Sequence, residues 1–183
     1  MKKTVNKPTL KIAFCAIIAA FEVVLMMITT FIPVGTYALP CFAGALTVAV
    51  VIEFGAKWAT GVFFVSSVLS FFLSGDKEAV ILFIALFGYY PIVKKMIESG
   101  LKNRALQYFL KFALFNAAAV SSFFVAIYAL SVPAEEFTIG GAYVPYLFLI
   151  VGNLFFLLYD FMLMQFVRMY VVRIRKAIFG RIL

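Results

Sequence analysis

From Lys11 to Val172 the chain is a succession of long, unbroken apolar runs separated by short polar turns, and no water-soluble fold can bury such a series. The runs are continuously apolar rather than alternating. That excludes a membrane β-barrel and leaves helices, the other structure that satisfies every backbone group inside a bilayer. The turn signals divide the chain into six spans, at about 11–32, 37–53, 57–74, 79–95, 108–131 and 145–172. They use up almost the whole of the 183 residues. The expected architecture is an all-α integral membrane protein, a six-helix bundle forming one transmembrane domain over residues 1–183. Apolar residues make up 66% of the chain, against about half in a soluble domain, so lipid is the solvent for the excess.

The basic residues give these spans a direction. With six spans and an inside N-terminus, Lys77 is the one Lys or Arg of the 16 that falls outside. The first and fifth loops carry none. Such asymmetry predicts that both termini are cytoplasmic and that the protein resides in the cell membrane. It also accounts for the net charge of +8 without a nucleic-acid partner.

Several functions are excluded or disfavoured by what the chain lacks. It has no histidine, so the commonest metal ligand and general base are missing. No Walker or dinucleotide-binding motif occurs, so ATP hydrolysis on this chain is excluded. Neither a cofactor nor a metal is expected, and the sparse acids do not make a catalytic set. Cys15 and Cys41 are expected at opposite depths, too far apart for a disulfide. No cleavable signal peptide is expected at the N-terminus.

Ionisable groups inside a span are costly and mark functional positions. Glu22 in span one and Asp160 in span six are the candidates. Tyr146, Asn153 and Asp160 recur every seven residues, so they share one face of span six. With Glu22 they are read as the lining of a substrate pocket that opens outward. The other reading is a polar seam that glues helices together. Ala13, Ala16 and Ala20 form a small-residue stripe on span one, roughly opposite Glu22 at 100° per residue, and suit close contact with a partner helix. The external loop Ser131–Pro145, with Gly140-Gly141 as a hinge, is a candidate lid. Trp58, Tyr89 and Tyr90 are expected as aromatic anchors at the inner interface.

On its length, its six spans, its inside termini and the Ala16–Ala20 step, the chain resembles a substrate-binding S component of an energy-coupling-factor transporter. The resemblance implies that the alanine face docks on a transmembrane coupling subunit driven by two cytoplasmic ATPases. It further implies that a vitamin-like or other micronutrient sits in a pocket near the outer surface. The histidine-rich start of the nickel and cobalt members is missing, so metal transport is set aside, and no vitamin-specific motif assigns a substrate. The alternative is a six-helix membrane scaffold that only binds partner proteins.

Overall fold

A computed structural model describes residues 7–32, 35–129, 138–139, 142–143 and 145–175. The two termini and most of the Ser131–Pro145 loop, including Gly140-Gly141, lie outside the described residues. Helices α1 (Lys7–Ile28), α2 (Gly35–Phe54) and α3 (Ala56–Leu73) come first. They are followed by α4 (Lys77–Leu82), a π-helical turn (Phe83–Phe87) and α5 (Tyr90–Gly100). Next are α6 (Arg104–Ala129), a two-residue antiparallel ladder (Thr138–Ile139 with Ala142–Tyr143), α7 (Pro145–Met169) and a second π-helical turn, Tyr170–Ile174. Six helical stretches are long and apolar enough to cross a membrane, α4 and α5 together making the fourth.

Local chemistry explains the joints. Gly55 alone links α2 to α3, at φ 84°, a backbone conformation that side-chain-bearing residues avoid. Asp76 begins α4 by accepting a hydrogen bond from the Ala79 amide at 3.0 Å, as an N-cap should. The break after the π turn belongs to Pro91. A proline has no N–H, so the Phe87 carbonyl loses its usual helical donor four residues on, and the ring pushes that carbonyl aside. The Tyr159 hydroxyl donates to it instead, at 3.0 Å. Gly44 on α2 makes the approach possible, since a Cβ there would sit 2.4 Å from the Phe87 oxygen.

α2 is the central helix, packed against α1, α3, α4, α5 and α7. Small residues Ala43, Gly44, Ala45 and Ala49 are buried along it and let its neighbours come close. Three apolar clusters surround it: one shared with α1 and α3, one with α1 and α4, and one with α5, α6 and α7. In the last, Phe156 stacks on Phe115 with ring centroids 4.6 Å apart and meets Tyr90 edge-on. The outer rind is also apolar. Phe21, Phe64, Phe72 and Leu154 are exposed, as lipid-facing residues should be.

Candidate functional site

Among the described residues, two interior polar groupings hold the candidate acids Glu22 and Asp160. The first is built from α5, α6 and α7. α5 carries Tyr90, Lys94 and Glu98 at four-residue spacing, hence on one face. α7 contributes Asp160 and α6 contributes Lys111. The Tyr90 hydroxyl donates to Asp160 Oδ1 at 2.6 Å, and Lys94 Nζ is ion-paired to the same oxygen. Lys111 Nζ lies 3.4 Å from Asp160 Oδ1 and 2.6 Å from Glu98 Oε1, and Lys94 Nζ is 3.2 Å from Glu98 Oε1. Two cations thus meet two anions. The side chains of Lys94, Lys111 and Asp160 are 9%, 4% and 12% exposed, whereas Glu98 is 41% exposed. Glu98 is the group through which the cluster reaches the surface.

Beside this cluster, α6 and α7 are joined by a reciprocal amide pair. Asn116 donates to Asn153 at 2.8 Å and Asn153 donates back at 2.9 Å. Each amide also bonds a carbonyl one turn earlier in its own helix, Phe112 and Leu149 respectively.

The second grouping is built from α1, α2 and α3. Glu22 is fully buried. Its Oε1 accepts a hydrogen bond from the Thr47 hydroxyl at 2.8 Å, and the Ser66 hydroxyl also faces the carboxyl. Glu22 Oε2, Ser67 Oγ and Ser70 Oγ make no hydrogen bond that meets normal geometry. No lysine or arginine is ion-paired to Glu22 among the described residues.

The four side chains expected to line one pocket are therefore distributed. Asn153 and Asp160 both turn toward α6, where Asn116 and Lys111 meet them. Glu22 faces α2 and α3. Tyr146, in the first turn of α7, is 63% exposed. The small-residue stripe lies on the outside of the bundle: Ala13, Ala16 and Ala20 are all exposed. Ala16, Ala19, Ile12, Trp58, Gly61 and Val65 line an apolar groove of about 590 Å³ between α1 and α3. Cys15 and Cys41 are both free thiols.

Three sequence expectations change. Tyr90 is not an interface anchor, because it is 1% exposed and bonded to Asp160. Span four does not end at Lys95, since α5 continues to Gly100. The interval 96–107 left between the expected spans shrinks to the link 101–103. All three have one cause: Asp160 neutralises Lys94 within the bundle, so the helix continues past a charge that would otherwise need water. Lys94, Lys111, Glu98 and Asn116 were not singled out from the sequence as interior groups. The available signals were the four-residue spacing of Tyr90, Lys94 and Glu98, and the position of Lys111 well inside an apolar run. No family model, no curated protein and no solved structure matches the chain.

Proposed function

We propose that the chain is the membrane-embedded, solute-binding subunit of an uptake system, oriented with both termini in the cytoplasm of the cell that bears it. The observation that carries this reading is the outward-facing small-residue stripe of α1. A helix that exposes Ala13, Ala16 and Ala20 to its surroundings while burying Glu22 on the other side has one face for a partner helix and one for the interior. The groove between α1 and α3 continues that face. With no nucleotide-binding motif of its own, the chain would draw energy from a transmembrane coupling subunit and its ATPases. The solute would be a small molecule of the micronutrient class. Asn153, with Asn116 opposite, would exchange the amide pair for hydrogen bonds to it, and Tyr146 would stand at the mouth. Glu22 and Asp160 would flank the path on its two sides.

A scaffold that only binds partner proteins is the second reading, and one observation favours it. The Asn116–Asn153 pair is closed on itself, and the charges of the Asp160 cluster are paired with one another, as in structural seams.

Native mass spectrometry of the purified protein separates the two. A transport subunit retains a small molecule or its partner subunits. A bound solute also raises the melting temperature, by the equivalent of about 4 kcal/mol at a thousandfold excess over its dissociation constant, and a scaffold shows no such response. A scaffold result in both measurements would retire the transport reading.

A further inference from the structure

The groove between α1 and α3 has a charged end and an apolar end. On α3, Lys57, Gly61 and Val65 recur every four residues and so share one face, and all three line the groove. On α1, Lys11, Cys15 and Ala19 follow the same spacing; Cys15 and Ala19 line the groove, and Lys11 stands one turn before them. Lys11 Nζ lies 5.9 Å from the ring centroid of Phe54, the residue that precedes the Gly55 joint. Lys57 is the second residue after that joint. At the other end of these helices, Ser74 after α3 donates to Met26 of α1. The two helices therefore run the same way, and both lysines sit at the Gly55 end. The two stripes read alike: a cation, then a small residue one turn in, then an apolar residue two turns in.

Two observations point to an occupant from outside the chain. A Cβ at Gly61 would meet nothing within 4 Å, so no neighbour among the described residues requires a glycine there. A glycine inside a helix is nevertheless destabilising relative to alanine. The gap at Gly61 thus serves nothing within the described fold. The two cations are also left over. Among the described residues neither Lys11 nor Lys57 belongs to an ion pair, and Glu53, four residues before Lys57, is ion-paired with Arg175 at 2.9 Å.

The length of the groove says what kind of occupant fits. Lys57 to Val65 is about 12 Å along the helix axis, against about 15 Å for half the hydrocarbon core of a bilayer. The groove therefore covers the depth of one leaflet. Its lysines stand at headgroup level, with Trp58 beside Lys57 and 39% exposed, as an interfacial aromatic should be. Hydrocarbon over one leaflet with a negative charge at the surface is the form of an anionic phospholipid, and basic pockets between membrane helices take such headgroups.

We propose that the α1–α3 groove binds one anionic phospholipid, with an acyl chain along Gly61 and Ala19 and the phosphate at Lys57 and Lys11. This goes beyond the transport reading and stands without it. The bound lipid bridges α1 and α3 and supplies the counter-charge that the two lysines lack.

The test uses the full chain purified in detergent. Phosphatidylglycerol and phosphatidylcholine with the same acyl chains are added separately. Bound lipid is counted by native mass spectrometry, and melting temperature is followed. The wild type should retain about one phosphatidylglycerol per chain in preference to phosphatidylcholine, and its melting temperature should rise with the logarithm of phosphatidylglycerol concentration. Lys57→Gln and Lys11→Gln should each weaken phosphatidylglycerol binding about fivefold, the effect of one basic residue at a charged headgroup, and leave phosphatidylcholine binding unchanged. Gly61→Leu fills the groove and should abolish retention. Its side chain enters open space, so the melting temperature without lipid should not fall. If that variant fails to fold, the two lysine variants carry the test. Equal retention of the two lipids overturns the proposal, as does a second copy or another protein retained in the lipid's place. So does unchanged phosphatidylglycerol binding in both lysine variants, or full binding by a folded Gly61→Leu variant.

Discussion

Two acids inside this bundle, Asp160 and Glu22, live in opposite circumstances. Asp160 is surrounded by donors from two other helices, with Lys94, Lys111 and Tyr90 all directed at it. Glu22 has a threonine, serines and an unpartnered oxygen. The same chemical group has been buried twice, once with its counter-charge built in and once without. A built-in ion pair ties helices together, since removing either member strands the other. An acid without one ties no cation-bearing helix to its own. The α5–α6–α7 side is therefore the part locked by charge pairing, and Glu22 on the α1–α2–α3 side has no such pair.

The largest expected effect tests the locked side. Asp160→Ala leaves two buried lysines with only Glu98 between them, and a loss of about 3–5 kcal/mol should follow. Thermal unfolding in detergent measures it. Replacing Lys94 and Lys111 by Met together with Asp160→Leu should recover most of that loss. If the triple variant stays as weak as Asp160→Ala, charge pairing is not what holds these helices.

Gly44→Ala comes next, because it drives a methyl to within 2.4 Å of the Phe87 oxygen and 2.7 Å of the Tyr159 hydroxyl. Overpacking of this kind costs about 1–3 kcal/mol. Tyr159→Phe relieves the hydroxyl contact but leaves the Phe87 carbonyl unpaired, so it should not rescue the Gly44 variant in a double-mutant cycle. Asn153→Ala should cost less, about 0.6 kcal/mol and at most about 1.7, the range for hydrogen bonds between membrane helices. Its effect on solute binding should exceed that on stability.

Glu22→Gln should be milder than Asp160→Asn, because the amide oxygen can keep the Thr47 bond and no cation is left stranded. The contrast with Asp160→Asn is the sharpest form of the comparison: neutralising one acid unlocks the bundle, and neutralising the other does not. Equal losses in the two variants would abolish the distinction. Ala16→Leu should leave the melting temperature unchanged within about 0.5 kcal/mol, the usual range for an exposed position, while weakening recovery of partner proteins in pull-downs. Unaltered recovery would mean that this face docks nothing.

Hydrophobic continuity made the six spans legible, because a bilayer imposes a length that few other environments do. Gly55 and Asp76 were legible as joints, since their chemistry is local. The separation of Glu22 from the alanine stripe followed from helical period alone. The α5 cluster was not legible, and the reason is physical. A lysine near a helix end has the same sequence signature whether it reaches water or an acid on another helix, and Asp160 lies 66 residues beyond Lys94. The break at Phe87 depended in the same way on Tyr159, 72 residues away. The expected grouping of Glu22 with Asp160 rests on both being ionisable groups inside a span, which does not say which neighbours a helix will face.

The distance in sequence between the lysines and Asp160 has a consequence for how the protein is made. Synthesis delivers Lys94 and Lys111 well before the acid that will neutralise them. During that interval their ammonium groups must be accommodated without it; Lys94 is about 9 Å from the Gly100 end of α5 and Lys111 about 10 Å from the Arg104 end of α6, distances that a long side chain bending toward the headgroups shortens. In the orientation proposed above, they would act meanwhile as topology signals, holding the ends of α5 and α6 on the cytoplasmic side. When α7 arrives, Asp160 draws both inward, and what had been a topology signal becomes the fastening between helices. Chains truncated before α7 should therefore leave Lys94 open to an aqueous amine reagent that cannot reach it in the complete protein, and equal labelling of the two would show that the lysine is sheltered from the start.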